Sequence, residues 1–265
     1  IARFGEFFLV QRNIMCYTNV KMKAMTEKEE TMMEEKRMAQ LDPRLERVAD
    51  FVRPGALFAD VGCDHGHLSV ELMRRGAQRG FACDIKEGPL QAAKRNLEKA
   101  GFVERVQTVR TDGLAGMEQS GVTDVVIAGI GGEVISGILE RAPFLQQEGI
   151  RLVLQPQTRE QVLRDFLANN GFAVIEEEVV SSGKYLYVVM VAEYTGCCRS
   201  LSLMEKFCGK LTDNCTPQAC EKLRMTACHL AERSKGLFQE GEAALAAEYL
   251  QTSGEILSLI GSFYL

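Results

Sequence analysis

The sequence predicts a doubly wound α/β sheet that ends in an antiparallel edge hairpin and is followed by a small helical C-terminal domain. From Leu41 to about residue 196, short apolar segments alternate with amphipathic helical segments. Two alternating segments around Ser181, Ser182 and Gly183 then predict a hairpin. After Gly196 the strand signals stop, and residues rich in Ala, Leu, Glu and Lys indicate helices.

In the first half of the predicted sheet, helical segments alternate with short apolar segments that predict strands. LDPRLERVADFV has Asp42 in a capping position and Pro43 at the first helical position, so it predicts a helix. ALFADV predicts the first strand, LSVELMRRG a helix, and RGFACDI a second strand that ends at Asp84. EGPLQAAKRNLEKAG predicts a helix opened by Pro89 and closed by Gly101.

The second half continues the same alternation. VQTVRTDGL and TDVVIAGIGG predict the third and fourth strands, and GEVISGILERAP predicts the helix after them. RLVLQPQ predicts a fifth strand and TREQVLRDFLANNG a capped helix. FAVIEEEVVSSGKYLYVVMVAEY predicts the two strands of the hairpin. Residues 199–215 and 217–250 are each predicted to form a helix, which together suggest a hairpin or an antiparallel pair.

Composition divides the chain into three predicted parts. Residues 1–39 mix an apolar segment with a Met-rich, charged one, and we expect this N-terminal extension to lie outside the core. Residues 40–196 form the predicted α/β domain, and residues 197–265 form a helical, coiled-coil-like domain. No segment approaches the length of about 18 apolar residues that spans a membrane, so the sequence predicts a cytoplasmic protein.

The charge distribution does not by itself indicate a nucleic-acid-binding protein. The net charge is −5, although residues 199–235 carry seven Lys or Arg against four acids. These residues predict either a basic stripe or an ordinary solvated helical face, and the second interpretation is favoured. The nine cysteines include no CxxC pair, so no metal site is expected.

Glycines and acids follow four consecutive predicted strands at their carboxyl ends. In an open parallel sheet these ends meet at one edge, which is where ligands bind. The sequence therefore predicts a binding site at this edge, formed by Asp60, Gly62, Asp64 and Gly66 after the first strand, Asp84 after the second, Asp112 and Gly113 after the third, and Ala128 to Gly132 after the fourth.

Three of these positions predict contacts with an adenosine-containing cofactor. Gly62 permits a tight turn and close approach of a ligand to the backbone. Asp84 lies 22 residues beyond Gly62, near the separation of about 20 residues at which an acid after the second strand binds ribose hydroxyls. Asp112 is a hydrogen-bond acceptor that complements the amino group of adenine.

The first loop distinguishes between cofactors. In GCDHG, Asp64 occupies the place of the second glycine of the dinucleotide motif GxGxxG. A carboxylate there repels a pyrophosphate but attracts a cation, which disfavours the alternative of an NAD-dependent oxidoreductase. S-adenosylmethionine carries an ammonium, a sulfonium, a ribose and an adenine, so the sequence predicts this cofactor.

Several segments together resemble one family. LDPRLERVADFV, DVGCDHGHL, CDIKEGPLQAA, TDGL, IAGIGG, and LQPQ followed by LRDFL are similar to the bacterial TrmK family of tRNA (adenine-N1)-methyltransferases, which act on adenine 22. The resemblance runs from about Leu41 to Glu193. It implies a class I methyltransferase (Rossmann-like) fold, S-adenosylmethionine as cofactor, tRNA as partner and 1-methyladenosine as product. A methyltransferase-like RNA-binding module without activity remains the alternative.

The resemblance also implies site residues. Cofactor contacts are expected at Asp60, Gly62, Cys63, Asp64, Gly66, Asp84, Ile85, Asp112, Gly113 and Gly129. IAGIGG stands where other N-methyltransferases carry a catalytic Asn/Asp-Pro-Pro-Tyr loop. Because it lacks bulky side chains, the target base can lie against its backbone. Substrate contacts are therefore expected at Gly131, Gly132, Gln155 and Pro156.

The chemistry of the target atom limits what the protein must supply. Adenine N1 has a free in-plane lone pair, so positioning rather than proton removal accounts for most of the expected acceleration. Positive charge develops on the purine during transfer, and a nearby carboxylate stabilises it. Asp64 is the first catalytic candidate and His65 the second, whereas a purely cofactor-binding or capping role is the alternative for Asp64. His67 is expected to be structural.

Overall fold

The computed structural model describes residues 41–213 and 216–263. The predicted N-terminal extension, residues 1–39, lies outside the described residues. The described part contains one seven-stranded sheet flanked and followed by helices. The strands are β1 (Leu57–Val61), β2 (Arg79–Asp84), β3 (Val106–Arg110), β4 (Asp124–Ile130), β5 (Arg151–Pro156), β6 (Phe172–Ser182) and β7 (Tyr185–Tyr194).

Eight α-helices of the described residues connect or follow these strands. They are α1 (Pro43–Phe51), α2 (His67–Arg74), α3 (Glu87–Ala100), α4 (Gly132–Glu140), α5 (Glu160–Asn169), α6 (Leu203–Cys208), α7 (Pro217–Gln239) and α8 (Ala243–Ser262). Within this part of the chain, no helix is both long and apolar enough to cross a membrane.

The strand order confirms the predicted doubly wound fold. The order is β3-β2-β1-β4-β5-β7-β6, and the first five strands run parallel to one another. β7 pairs antiparallel with both β5 and β6, which confirms the edge hairpin. The order reverses between β1 and β4, so the carboxyl ends of these two strands flank the crevice where ligands bind in this kind of sheet.

The core lies around the central strands. Val125, Val126 and Ile127 of β4 are fully buried, as are Leu152 and Val153 of β5. Such continuous apolar segments are typical of parallel strands covered on both faces. Burial of each such side chain stabilises the fold by about 1.5–3 kcal/mol, which makes the central strands a rigid base for the loops at their ends.

Local signals explain where the first helices begin. The Asp42 carboxylate accepts a hydrogen bond from the Arg44 amide at 2.9 Å and so caps α1, as predicted. α3 begins at Glu87 rather than at Pro89. Proline is tolerated there because the amide groups of the first turn have no partner within the helix. Gly101, with φ +77°, ends α3 as predicted.

The helices at the C-terminal end differ from those predicted. The helix expected over residues 199–215 is limited to α6 and a short 3-10 turn, because Gly209 has φ +54° and a side chain there would overlap Glu177. The single helix expected over residues 217–250 is also wrong. Gly241, with φ +86°, breaks it into α7 and α8, which pack against each other as a hairpin.

A buried ion pair joins these helices to the sheet. The Arg164 guanidinium on α5 donates to the Glu177 carboxylate on β6 at 2.9 Å, and also to the Lys206 carbonyl at 2.8 Å. Glu177 in turn accepts from the Lys210 amide at 2.9 Å. Removing either partner would leave a buried charge uncompensated. The helical part is therefore fixed to the edge strand, and the domain boundary at residue 196 stays a prediction.

The seven Lys and Arg side chains of residues 199–235 all form ion pairs. Each lies between 2.5 and 3.5 Å from a carboxylate oxygen, which supports the interpretation as an ordinary charged helical face. The pairs are Arg199 with Glu205, Lys206 with Asp165, Lys210 with Asp213, Lys222 with Glu160, Arg224 with Glu221, Arg233 with Glu240, and Lys235 with Glu232.

Candidate cofactor and substrate site

Asp60 is a buried carboxylate at the end of β1, only 4% exposed. Its oxygen accepts a hydrogen bond from the Ser69 hydroxyl at 2.7 Å, and Ser69 lies in the first turns of α2. Burial raises the pKa of Asp60 to about 6, although the hydrogen bonds from Ser69 oppose the shift. The negative charge of Asp84 raises this pKa further. Asp60 thus holds α2 against the strand and places a titratable group under the first loop.

The first loop, residues 62–66, is tied to β2 through its backbone. The amides of Gly62 and Cys63 both donate to the Cys83 carbonyl, at 2.9 and 3.0 Å. The Gly66 amide donates to the Cys63 carbonyl at 2.7 Å and closes a tight turn. A side chain on Gly66 would lie 2.8 Å from the Ala93 methyl carbon, so this glycine lets α2 and α3 pack closely.

Gly62 differs from Gly66 in what surrounds it. Its φ is +76°, which favours glycine, yet among the described residues other than its chain neighbours no atom lies within 4 Å of the place where a side chain would begin. The space above the Gly62 backbone is therefore open to a ligand. Cys63 beside it is buried, and burial raises the pKa of its thiol, so this residue stays neutral.

Asp64 and His65 form an exposed acid–imidazole pair on the first loop. Asp64 adopts the left-handed conformation with φ +48°, which directs a side chain that is 73% exposed into solvent. His65 Nδ1 lies 2.8 Å from Asp64 Oδ2. The His67 ring stacks on that of His65, with the centroids 6.1 Å apart. Partial burial lowers the pKa of His67, and the nearby His65 lowers it further. The neutral form of His67 is therefore favoured.

Asp84 is the last residue of β2. Among the described residues, only one of its two carboxylate oxygens accepts a hydrogen bond. Oδ1 accepts a hydrogen bond from the Lys86 amide at 2.8 Å. Ile85 between them is exposed and forms an apolar surface next to the carboxylate. Within residues 41–213 and 216–263, no Lys or Arg lies within ion-pair distance of Asp60, Asp64 or Asp84. Among the described residues, the charge of these three carboxylates is therefore not compensated by a Lys or Arg side chain.

The third predicted cofactor position lies on an exposed turn after β3. Asp112 is exposed and lies 3.4 Å from the Arg141 guanidinium. Gly113 has φ +62°, and a side chain there would approach Ile138 at 2.9 Å. The glycine thus lets the turn pack against α4, which keeps Asp112 at the same edge as Asp84.

The second loop, residues 129–132, rests on a buried side chain. The Gly129 amide donates to Gln155 Oε1 at 3.2 Å, and Arg44 Nη1 donates to the same oxygen at 2.6 Å. Gln155 Nε2 donates to the Pro156 carbonyl at 2.8 Å. Both Gln155 and Pro156 are buried, so the structure places these two predicted substrate residues beneath the loop.

The end of the second loop is packed tightly against the chain after β5. The Gly132 amide donates to the Thr158 carbonyl at 2.8 Å, and a side chain on Gly132 would overlap the Arg159 carbonyl. Arg159 itself has φ +61°, a conformation that side chains rarely adopt. Gly131 is half-buried and has the Thr158 hydroxyl as its neighbour. Gly131 is therefore the more accessible of the two glycines.

Sequence reasoning missed two residues beside this loop. The Arg44 guanidinium carbon lies 5.4 Å from the centroid of the Tyr187 ring, and Arg44 also contacts Asp42 at 3.6 Å. Arg44 belongs to a helix whose sequence signal is its cap, and Tyr187 to a hairpin whose signal is alternation, so neither pattern indicates a site. The aromatic repeat at positions 185 and 187 was the available signal for this part of the site.

The residues at the first loop fit a cationic ligand. Open space above Gly62 and uncompensated carboxylates at Asp60, Asp64 and Asp84 suit a cofactor that carries positive charge better than one that carries a pyrophosphate. Among the described residues, no group of three or more His, Cys, Asp or Glu side chains is placed to hold a metal ion.

Comparisons with known proteins agree with this geometry. The family described as "Methyltransferase domain" matches residues 41–190. The tRNA (adenine(22)-N(1))-methyltransferase of Bacillus subtilis is 33% identical over 154 residues, which cover 58% of this chain. The aligned residues span 65% of that enzyme, slightly less than two thirds of its length.

Two solved structures share the fold over most of the chain. A putative tRNA (m1A22) methyltransferase from Streptococcus pneumoniae, solved in complex with S-adenosyl-L-methionine, is 33% identical with a TM-score of 0.71. The match covers 82% of this chain and 100% of that one. The Bacillus subtilis m1A22 tRNA methyltransferase TrmK is 27% identical with a TM-score of 0.70, and the match covers 84% and 98% of the two chains.

Proposed function

The chain belongs to the TrmK family of methyltransferases, and from this premise we propose that it transfers a methyl group from S-adenosylmethionine to N1 of adenine 22 in tRNA. The product is 1-methyladenosine. The uncompensated carboxylates at the ends of β1 and β2 are the observation that carries the proposal, because they favour a cationic cofactor. They disfavour an NAD-dependent oxidoreductase, and the family membership disfavours a module without activity.

The first loop and the turn after β2 would hold the cofactor. The free oxygen of Asp84 would accept from the ribose hydroxyls, and Asp112 from the adenine amino group. The backbone of Gly62 and Cys63 and the carboxylates of Asp60 and Asp64 would surround the amino-acid end. Bound there, S-adenosylmethionine supplies a methyl group activated by the positive charge on sulfur.

The Asp64–His65 pair is the proposed catalytic group. As N1 gains the methyl group, positive charge develops on the purine, and the exposed Asp64 carboxylate would stabilise that charge. His65 at 2.8 Å would orient this carboxylate toward the base. No residue needs to remove a proton before attack, because the N1 lone pair is already free.

The second loop is the proposed binding surface for the target base. N1 lies on the Watson–Crick edge, so the adenine must be unpaired and turned out of its stack before it can react. Gly129 and Gly131 present backbone without side chains, so a flat base could approach the main chain between Arg44 and Thr158. Gln155 would act as a positioning residue, since its buried amide holds both the Gly129 amide and Arg44.

The proposal is tested by incubating the protein with labelled S-adenosylmethionine and unmodified bulk tRNA, followed by nucleoside analysis. We expect label in 1-methyladenosine at position 22. Cofactor binding without label in tRNA would support the inactive module instead, and label confined to protein or small molecules would contradict the proposal. Calorimetry that shows binding of NAD but not of S-adenosylmethionine would also contradict it. A tRNA substrate further implies a cytoplasmic enzyme.

A further inference from the structure

The β6–β7 hairpin extends beyond the end of the parallel sheet, next to the second loop. The last pair between β5 and β7 joins Leu154 with Met190, whereas the hairpin pairs continue to Ser182 with Tyr185. Residues 180–187 therefore project past the carboxyl end of β5. A two-residue turn led by Gly183, with φ +58°, closes the hairpin at its tip.

Two neighbouring tyrosine rings on this projecting segment are flanked by a cation at each end. The rings of Tyr185 and Tyr187 lie 6.1 Å apart between centroids, as expected for residues two positions apart on one face of a strand. Lys184 Nζ lies 5.3 Å from the centre of the Tyr185 ring, and Arg44 lies over the Tyr187 ring. We call the set of Arg44, Tyr185, Tyr187 and Lys184 the hairpin ladder.

The hairpin ladder is continuous with the second loop. Arg44 donates to Gln155 Oε1 at 2.6 Å, and the same oxygen accepts from the Gly129 amide at 3.2 Å. Tyr185, at the outer end, is 56% exposed, so its ring is accessible to a ligand. The surface thus leads outward from the proposed position of the target base.

Charge along the hairpin ladder favours an anionic partner. No carboxylate among the described residues lies within ion-pair distance of Lys184, in contrast to the seven basic residues of the C-terminal helices. Asp42 lies near the hairpin, but its oxygens are engaged by the Arg44 amide and by the Ser182 hydroxyl at 2.9 Å. Exposed aromatic rings beside cations are typical of surfaces that bind single-stranded nucleic acid.

We propose that the hairpin ladder binds the unpaired nucleotides next to the target adenine, with Tyr185 and Tyr187 stacking on their bases and Lys184 contacting a phosphate. The inference rests on the proposed function and names the part of the protein that receives the opened RNA. Turning adenine 22 out of its stack exposes neighbouring bases, and a ring beside the second loop replaces the stacking that they lose.

The test is steady-state methylation of tRNA by the full chain with substitutions at the hairpin tip. We expect Tyr185→Leu to raise the KM for tRNA on the order of tenfold, because stacking on one base contributes about that factor. Tyr185→Phe keeps the ring and should retain the wild-type KM. Ile175→Ala removes a different exposed apolar side chain of β6 and serves as the matched control with unchanged kinetics.

A second measurement separates stacking from charge and from loss of structure. In titrations of tRNA at several salt concentrations, Lys184→Gln should reduce the slope of log Kd against log salt by about one, while Tyr185→Leu leaves the slope unchanged. The Kd for S-adenosylmethionine should match wild type in both variants. A changed cofactor Kd would mean that the substitution disturbs the fold, and the effect on KM would then count against the proposal.

Three outcomes would overturn the inference or its premise. If wild-type protein methylates tRNA and Tyr185→Leu has the wild-type KM, the hairpin ladder does not bind RNA. If sedimentation velocity shows a dimer that Tyr185→Leu abolishes without changing tRNA affinity, the surface binds a second copy of the chain. If wild-type protein neither binds nor methylates tRNA, the proposed function itself fails, independently of the hairpin.

Discussion

The two glycine loops at the carboxyl edge of the sheet are built in opposite ways. The first loop, residues 62–66, is fixed through backbone hydrogen bonds to Cys83 and leaves the Asp64 side chain exposed. The second loop, residues 129–132, rests on the buried Gln155 amide, and the Arg44 guanidinium donates to the same side chain. The acidic loop suits a cationic cofactor and the cationic neighbourhood suits RNA. We infer that the difference in charge divides this edge between the cofactor and the RNA.

Removing the exposed carboxylate of the first loop should have the largest effect. We expect Asp64→Ala to lower the rate of methyl transfer about 10²–10³-fold, which is the usual cost of removing one group that stabilises charge in a transition state. Single-turnover transfer at saturating cofactor and tRNA measures it. Gln substitution at His67, which is stacked and favoured neutral, is the matched control and should cost little. Wild-type transfer by Asp64→Ala would remove this residue from the mechanism.

Substitution of Asp84, the last residue of β2, should weaken cofactor binding without changing tRNA binding. Asp84→Asn is expected to weaken S-adenosylmethionine binding about 10–100-fold, because a hydrogen bond to a charged group contributes about 1.5–3 kcal/mol. Calorimetry measures this change, and tRNA affinity should stay unchanged. Glu98→Gln changes the same charge on the exposed face of the adjoining helix α3 and should leave the cofactor Kd as it is. Equal weakening in both variants would indicate a general charge effect.

The second loop is better probed through packing than through charge. Gly132→Ala should lower the free energy of unfolding by about 3 kcal/mol, because the new methyl group would overlap the Arg159 carbonyl. Gly137→Ala in the same helix meets no atom closer than 3.6 Å and should stabilise by up to about 1 kcal/mol. Urea denaturation of both variants measures the difference. Similar stabilities would show that the second loop is less rigid than its contacts indicate.

The same contrast explains how much the sequence predicts. Gly62 and Asp84 are found from the sequence because their roles depend on the strand directly before them. The burial of Gln155 and its contact with Arg44 join residues 111 positions apart, so neither is visible in a local pattern. Gly241 was read as part of one long helix because a glycine is tolerated inside a helix at a cost of about 1 kcal/mol. Its left-handed conformation instead closes a glycine cap at the end of α7, in which the Glu242 amide donates to the Leu237 carbonyl at 2.9 Å.

The smallest expected effect concerns the buried Asp60 under the first loop. Its pKa is about 6 in the folded protein, above the ordinary value of 3.8, so the folded chain keeps a proton that the unfolded chain releases between these values. The contribution of Asp60 to stability is therefore complete below about pH 4 and is lost as pH rises through 6. We expect a loss of about 2 kcal/mol, which Asp60→Asn should abolish.

Urea denaturation of wild type and Asp60→Asn between pH 4 and pH 7 measures this loss as a difference, in which the titration of other carboxylates cancels. Ser69→Ala sharpens the test, because removing the hydroxyl that donates to Asp60 should raise the pKa of Asp60 further and extend the loss to higher pH. A difference between wild type and Asp60→Asn that does not vary with pH would mean that Asp60 has the same pKa in the folded and unfolded chains. Asp60 would then add its negative charge beneath the first loop even in mild acid, and the contrast with the Arg44 side of the edge would extend to lower pH.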